Sequence, residues 1–236
     1  MRKQLDKRRH HRIGVFRTLN IPGGGGAEVN ALYLSGISQI NCGSEASLDD
    51  FKSNAFTFEI WTKDIESYCG VFRKGVRISL SASTSGRLIC SISCSTTNAS
   101  AESPISFLST DDGWHHYVVF YNNAGDRKPY LAKDGIWVNS YRSQVAGDGD
   151  IVSDAAENFL IGGLNNIPIA VSWFRLSNND RYNHEVNFTP SEEFPENDVN
   201  TIRLFYANEG EGTTLIDYSA NAQNATITLP TWIKKN

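Results

Sequence analysis

The sequence lacks the features that mark most enzymes and membrane proteins. It contains no Gly-rich phosphate loop, no zinc-protease pattern and no nucleophile elbow. No apolar run is long enough to span a bilayer or to act as a secretion signal. No long segment repeats its apolar residues with the helical period of 3.6. We therefore expect no membrane insertion, and synthesis in a host cytoplasm without a signal peptide.

Cysteine is also scarce, and its spacing fits neither a zinc site nor a disulfide framework. The four cysteines are Cys42, Cys69, Cys90 and Cys94, with no CxxC pair among them. "LICSISC" alternates like a strand, which places Cys90 and Cys94 roughly 13 Å apart, too far for a disulfide. We interpret all four as small buried hydrophobic side chains. The sequence leaves a Cys42–Cys69 disulfide as an alternative.

Charge is distributed unevenly along the chain. Residues 1–17 hold seven basic residues and one acid, a net charge of +6, whereas the remainder holds 15 basic and 25 acidic residues, a net charge of −10. "PGGGG" then forms a flexible hinge, so we predict a basic arm at 1–26 and one domain at 27–236. The predicted assembly residues of the arm are Arg2, Lys3, Lys7, Arg8, Arg9, Arg12 and Arg17.

The basic arm allows three interpretations: a solvated tail, a nucleic-acid contact, or docking on an acidic protein surface. An acidic domain would be repelled by nucleic acid, so we disfavour that partner. Docking on a neighbouring subunit accounts for both signs of charge, and "VFRTLNI" in the arm could add a strand to a neighbour's sheet. We therefore expect a homo-oligomer, or an assembly with other structural proteins.

From residue 27 onward the chain consists of short segments with β-strand alternation. In "AFTFEIWTKD", Phe56, Phe58 and Ile60 face one way, while Glu59 and Trp61 face the other. Turn residues separate such segments at short intervals, which is typical of a β-sandwich or jelly roll. The pattern also predicts a strand at "SPISFLS" and a helical turn at "TPSEEF".

Several segments, taken in order, resemble one family. "FTFEIWTK", "GWHHYVVFYNN", "PYLAKDGIWVNS", "FLIGG" and "TIRLFYANEGEGTTLIDYSANAQNATI" resemble successive strands of the laminin-G-like, concanavalin-A-like jelly roll. "VSWFRLSNNDRYNHEVNFTP" resembles its closing strand in the variant common in tailed-phage structural proteins and bacterial surface proteins. The resemblance covers about residues 30–230. It implies an all-β sandwich of two antiparallel sheets, here with an extended basic N-terminal arm.

What the resemblance implies about function is less specific, because this fold carries many roles. We expect a non-catalytic structural virion protein, such as a capsid decoration, head-fibre or tail-associated subunit. Its arm would anchor it to capsid or tail proteins, and its lectin-like domain would touch surface glycans. The alternative is a free-standing or cell-surface carbohydrate-binding module, with calcium as its candidate cofactor.

The adjacent histidines of "GWHHYVVFY" are predicted to belong to the scaffold. On a strand, His115 and His116 point to opposite faces and cannot chelate one ion together. Both faces are apolar, so we expect a hydrogen-bonded His116 in an inner strand. Asp134-Gly135 suits a hairpin turn with positive φ angles. The predicted structural core comprises Trp61, Trp114, His116, Tyr130, Asp134, Gly135 and Trp173.

The sequence offers candidates for three kinds of site: a pair of catalytic carboxylates, a calcium site and a glycan site. Carboxylates that flank a scissile glycosidic bond are poorly matched by Glu59, Asp64 and Glu66, whose spacing does not suit one strand face. A calcium ion takes Asp, Asn and carbonyl oxygens. A glycan site would pair such groups with exposed aromatic rings, for which the candidates are Trp137, Tyr141 and Tyr182. The candidate glycan or calcium rim comprises Asn122, Asn123, Asp126, Asn165 and Asn166.

Overall fold

The computed structural model describes residues 30–63, 65, 69–108, 113–162, 166–191 and 194–235. The segment "VFRTLNI" and the predicted assembly residues lie outside the described residues, so the anchoring role of the arm stays a prediction. These assembly residues are Arg2, Lys3, Lys7, Arg8, Arg9, Arg12 and Arg17.

The described residues form two antiparallel sheets and two short 3-10 turns, as an all-β sandwich requires. The 3-10 turns span Ala46–Leu48 and Phe51–Ser53. The strands are β1 Asn30–Gly36, β2 Gln39–Asn41, β3 Ala55–Lys63, β4 Gly70–Lys74, β5 Ile78–Ala82, β6 Leu88–Ile92, β7 Ala99–Glu102, β8 His115–Asn122, β9 Tyr130–Lys133, β10 Ile136–Trp137, β11 Ser143–Val145, β12 Phe159–Gly162, β13 Asn166–Ser177, β14 Thr201–Tyr206, β15 Thr214–Leu215, β16 Ala225–Thr228 and β17 Thr231–Lys234.

The eight-stranded sheet is organised around β13. Its order is β10-β9-β8-β3-β13-β1-β17. One edge of β13 pairs with β3, while its other edge pairs first with β1 and then with β14. The nine-stranded sheet has the order β11-β7-β6-β5-β4-β12-β2-β16-β15. Strands adjacent in space are often distant in sequence, as in other jelly rolls.

The main core lies between the two sheets and follows the alternation of the sequence. Phe56, Phe58 and Ile60 of β3 are fully buried in it, together with Val119 and Tyr121 of β8. Aromatic rings from both sheets meet there; Phe58 lies 4.3 Å from the ring centroid of Phe72. The predicted inward face of β3 is therefore confirmed.

A second apolar cluster lies on the outer face of the eight-stranded sheet, the face turned away from the nine-stranded sheet. Val118 and Phe120 are buried in it. Its cover comes from residues 178–191, which we name the strap, and which contribute Tyr182 and Phe188. Those two rings stack with their centroids 3.9 Å apart. Strand β8 is thus covered on both faces, as the sequence predicted.

The predicted core residues divide between the faces of the eight-stranded sheet. Trp61 and Trp173 are buried as expected, but they stack on each other outside the main core. Trp114 and Tyr130 are only half-buried, so their assignment to the core was wrong. Tyr130 instead packs against the cluster beneath the strap.

Two local predictions fail. The described part of "SPISFLS" contains a turn in which Ile105 is exposed, and the strand ends before it at Glu102. No helix forms in the described part of "TPSEEF". Proline at 104 and 190 removes a backbone donor in each segment.

The cysteine prediction is confirmed: all four cysteines are buried, and Cys42 and Cys69 form no disulfide bridge. Among the described residues, no helix has the length and apolar character needed to cross a membrane.

Candidate functional site

A polar cavity of about 410 Å³ opens at one end of the sandwich. We name it the rim pocket. Its walls come from the 3-10 turns before β3, from the two ends of the connection between β13 and β14, and from the loop after β15. Amides, carboxylates and hydroxyls dominate the lining residues, which are Ser47, Asp49, Asp50, Phe51, Asn54, Asn178, Val199, Thr201, Ile202, Ala220 and Asn221.

One wall of the rim pocket is held by a reciprocal pair of backbone-to-carboxylate hydrogen bonds. The amide of Asp50 donates to Asp154 Oδ1 at 2.9 Å, and the amide of Asp154 donates to Asp50 Oδ1 at 2.9 Å. Asp50 adopts φ 50°, a left-handed conformation that Asp tolerates better than most residues. The sharp bend turns the chain into the 3-10 turn Phe51–Ser53.

Behind this wall lie two fully buried lysines that share one fully buried carboxylate. Lys52 Nζ donates to Asp154 Oδ2. Lys74 Nζ donates to Asp154 Oδ1 at 2.9 Å and to the backbone oxygen of Asp154 at 2.6 Å. Lys74 Nζ also lies 3.4 Å from Asp49 Oδ1, and Lys52 Nζ lies 3.6 Å from Asp50 Oδ1. Buried ammonium groups need such compensation, so the cluster fixes the acidic side of the pocket.

Three asparagines that line the rim pocket carry side-chain groups that the protein does not use. Within the described residues, the side chains of Asn54 and Asn178 make no hydrogen bond, and both are exposed. Asn221 donates through Nδ2 to Ile202 O at 2.8 Å, which leaves its Oδ1 without a partner in this part of the chain. Free amides that converge on one cavity can donate to and accept from a hydroxylated ligand.

The strap ties this wall to the body of the domain. Asn178 N donates to Asn200 O at 2.9 Å, which closes the connection at its base. Arg181 binds Asp198 through both terminal nitrogens, at 2.8 and 3.1 Å. These hydrogen bonds hold the pKa of the Asp198 carboxyl well below its usual range. The bidentate geometry fixes the orientation of both side chains.

Beneath the strap, Glu59 is the centre of a fully buried charged cluster. Its Oε1 accepts from Arg175 Nε at 2.6 Å, and its Oε2 accepts from Tyr182 at 2.5 Å and lies 2.9 Å from His116 Nε2. Burial by itself would raise the pKa of Glu59, but the hydrogen bond from His116 and the charge of Arg175 hold it below its ordinary value. Burial beside Glu59 raises the pKa of Tyr182.

The contacts of this cluster place the paired histidines in the scaffold. His116 is 1% exposed and hydrogen-bonded to Glu59, as the sequence predicted for an inner strand. His115 points the other way, and its Nδ1 lies 2.7 Å from Asp134 Oδ2. Asp134 and Gly135 both have positive φ, which confirms the predicted hairpin turn. Phe188 of the strap rests on that turn through a bond from its amide to Gly135 O.

Glu59, the one described residue among the three candidate catalytic acids, is not accessible to a substrate. Glu59 is completely buried and all its described contacts are structural. Asp64 and Glu66 lie outside the described residues. A glycosidase would need both carboxylates to reach a substrate, which Glu59 cannot do.

Three of the predicted rim residues, Asn122, Asn123 and Asp126, are not among the residues that line the rim pocket. Asn122 Oδ1 and Asp126 Oδ1 accept from backbone amides of their own turn, and Asn123 Nδ2 donates to Ser53 O. Asn165 lies outside the described residues, and Asn166 is described only as the first residue of β13. The described residues contain no group of three or more His, Cys, Asp or Glu side chains that could hold a metal ion. Calcium binding at the predicted rim stays a prediction.

A second concave region lies beside the β9–β10 hairpin. We name this cavity of about 340 Å³ the hairpin pocket. Phe107, Ile136, Trp137 and Val138 line it, and Asn139 is its one side-chain amide. Trp137, which was expected to be exposed, is 7% exposed because its indole donates to Val186 O of the strap. This pocket offers fewer free polar groups than the rim pocket.

The other two rings proposed for a glycan platform are also engaged by the protein. Tyr141 packs against the main core, and its hydroxyl accepts from Leu131 N at 2.8 Å. Tyr182 stacks on Phe188 beneath the strap. An exposed aromatic platform formed by these three predicted residues is therefore excluded.

Only weak sequence signals mark the residues of the rim pocket. In "SLDDF", two acids precede a lysine between buried segments. "DGDIVSD" is rich in oxygen ligands, and its last residue, Asp154, is the shared carboxylate. Lys74 ends a strand whose alternation places it inward. Asn54 and Asn178 carried no signal of their own.

No family model and no curated protein matches the sequence. Among solved structures, a candidate carbohydrate-binding protein of Bacteroides ovatus matches with a TM-score of 0.60 and 13% identity, over 89% of this chain and 61% of that chain. This chain thus spans less than two thirds of that protein's length. Domains LG4-5 of the mouse laminin α1 chain match with a TM-score of 0.47 and 12% identity, over 72% of this chain and 47% of that chain.

A heptameric SAP-like pentraxin of Limulus polyphemus matches with a TM-score of 0.42 and 11% identity, over 67% of this chain and 79% of that chain. At these identities the likeness is one of fold alone.

Proposed function

Because this chain folds as a laminin-G-like, concanavalin-A-like jelly roll, we propose that it is a non-catalytic glycan-binding protein whose ligand enters the rim pocket. The observation that carries the proposal is the set of unpaired side-chain groups that line one open cavity, namely the amides of Asn54 and Asn178 and the Oδ1 atom of Asn221. Sugar hydroxyls are both donors and acceptors, as side-chain amides are. The carboxylate of Asp49 can accept a further hydroxyl hydrogen.

A glycan array probed with the full chain, with and without calcium, tests this function. Silence under both conditions overturns it. For a positive array, calorimetry on the best ligand compares the wild type with Asn54→Ala and Asn178→Ala. We expect each variant to lose roughly 2- to 12-fold in affinity, because a hydrogen bond to the ligand contributes about 0.5–1.5 kcal/mol and about 1.4 kcal/mol corresponds to a tenfold change in affinity.

Asn139→Ala is the matched control, since it removes an exposed amide from the hairpin pocket and leaves the rim pocket intact. Its affinity should equal that of the wild type. A loss confined to Asn139→Ala would move the ligand to the hairpin pocket and refute the assignment to the rim.

A second proposal concerns where the glycan-binding domain is displayed. The charge separation, +6 in residues 1–17 and −10 in the rest, supports a structural virion protein whose arm docks on an acidic neighbour. The resemblance of "VSWFRLSNNDRYNHEVNFTP" to tailed-phage proteins supports the same context. The partners would be capsid or tail proteins and further copies of this chain. The alternative is a free-standing or cell-surface lectin-like module.

Trypsin sensitivity of the arm, measured in the native assembly and in the isolated chain, separates these alternatives. Light scattering gives the mass of each sample before and after cleavage. Cleavage restricted to the isolated chain, with an assembly that dissociates once cut, supports an anchored virion subunit. An arm that is cut equally in both samples, on a monomeric chain, supports the free-standing module and refutes anchoring.

A further inference from the structure

The charges around the rim pocket define the class of sugar that it can hold. Two buried ammonium groups face three carboxylates, from Asp49, Asp50 and Asp154, so the cluster keeps one net negative charge. No described residue that lines the pocket is basic. Proteins commonly hold carboxylate ligands with Arg or Lys, and the residues that line the pocket include neither.

Asp49 is the carboxylate available to a ligand. Both oxygens of Asp50 are occupied, Oδ1 by the amide of Asp154 and Oδ2 by Ser153 Oγ at 2.9 Å. Asp49 Oδ1 has only the long contact with Lys74 Nζ, at 3.4 Å, and its Oδ2 accepts nothing within the described residues. Its side chain is 30% exposed, so a ligand can reach it.

The two ammonium groups also occupy the position where the acids converge. Lys74 Nζ is surrounded by Asp154 Oδ1, the backbone oxygen of Asp154 and Asp49 Oδ1, at 2.9, 2.6 and 3.4 Å. Carboxylate and carbonyl oxygens are the ligands that calcium would require. Because the Lys74 ammonium already bridges the two carboxylates, a metal ion is not needed to hold these loops together.

Building on the proposed function, we infer that the rim pocket binds uncharged and ammonium-bearing sugars in preference to acidic sugars, without a divalent cation. The negative domain reinforces the selection at long range. An ammonium on the sugar would pair with Asp49, whereas a uronate or sialate carboxylate would face it without a partner.

Two matched series of polymer-linked sugars test the inference. One is glucose, glucosamine and glucuronate, and the other is galactose, galactosamine and galacturonate. Binding of the full chain is measured at low and high salt, with and without EDTA. In the series that binds, we expect the amino sugar to equal or exceed the neutral sugar, and the acidic sugar to bind at least about tenfold more weakly. EDTA should change nothing, and high salt should reduce these differences.

Asp49→Asn provides the second measurement. It removes one charge from a partly exposed side chain and keeps its shape, so we expect a folded protein. The variant should lose the preference for the amino sugar and bind that sugar about fivefold more weakly than the wild type does. Its affinity for the neutral sugar should be unchanged. Glutamate at the same position, in Asp49→Glu, should restore the preference.

The outcomes separate the two proposals. Equal or tighter binding of an acidic sugar, loss of binding in EDTA, or an unchanged preference in Asp49→Asn overturns the inference and leaves glycan binding standing. Silence of all six probes, with a silent array, overturns both.

Discussion

Replacing Asp154 by asparagine would leave two ammonium groups in the interior without their shared carboxylate. Lys52, Lys74 and Asp154 have fully buried side chains. Removing one partner from a buried ion pair costs about 3–5 kcal/mol, because the remaining charge loses its compensation. Asp49 lies 3.4 Å from Lys74 Nζ, and Asp50 lies 3.6 Å from Lys52 Nζ. Both acids are partly exposed, so they can offset only part of that loss. We therefore expect the free energy of unfolding to fall by about 3–5 kcal/mol.

Urea unfolding followed by tryptophan fluorescence gives the free energy of unfolding, and thermal unfolding gives the midpoint temperature. At about 2–4 °C per kcal/mol for a domain of this size, the midpoint should fall by roughly 6–20 °C. Glu157→Gln is the control, since it neutralises an exposed acid in the same loop. It should stay within about 0.5 kcal/mol of the wild type.

A triple variant, Lys52→Met, Lys74→Met and Asp154→Leu, tests the cause. Replacing a whole buried ion cluster by apolar side chains is often neutral or stabilising, so the triple variant should recover most of the stability lost in Asp154→Asn. A loss below about 1 kcal/mol in Asp154→Asn, or a triple variant less stable than the single one, would refute the assignment of buried charge.

Further predictions concern the strap and the thiols. Glu59→Gln should lower the free energy of unfolding by about 3 kcal/mol. Because the pKa of Glu59 is lowered in the folded state, its contribution to stability is present above the ordinary glutamate pKa of about 4.3 and is lost as the pH falls through the folded pKa. The urea midpoints of the wild type and the variant should therefore converge in acid. Gly135→Ala should lower the midpoint of thermal unfolding more than Gly212→Ala does. Both glycines have positive φ, but only a Cβ at position 135 would meet Phe188 O, at 1.8 Å. Equal losses of stability would contradict docking of the strap. All four cysteines are buried, so a thiol reagent should label none of them in the native protein and all of them in guanidinium; burial also raises the pKa of Cys90 to about 12.

Much of the fold could be predicted because it depends on local alternation. The faces of β3 and β8, the Asp134-Gly135 turn and the separation of His115 from His116 follow from the period of two in a strand. The resemblance to the laminin-G-like fold added the order of the strands. The failures at "SPISFLS" and "TPSEEF" are local as well, since alternation does not reveal where a strand pair ends.

The candidate site was not predictable in the same way. Asp49 and Asp154 are more than one hundred positions apart, and only the packing of the loops around Lys74 brings their carboxylates together. The strap was interpreted as part of a closing strand, yet its aromatic residues fold back over the outer face and bury Trp137. Trp137, which the sequence predicts to be exposed, is covered because the strap, a segment distant in the chain, packs on it.

The sequence by itself determined the fold class, the inward and outward faces of the strands, the hairpin turn and the charge separation between the arm and the domain. Each of these depends on neighbours along the chain or on composition. Only the tertiary structure decided which polar residues share a cavity, which are consumed by internal hydrogen bonds, and which amides stay free for a ligand. Those properties depend on contacts between residues far apart in the chain, and no local pattern encodes them.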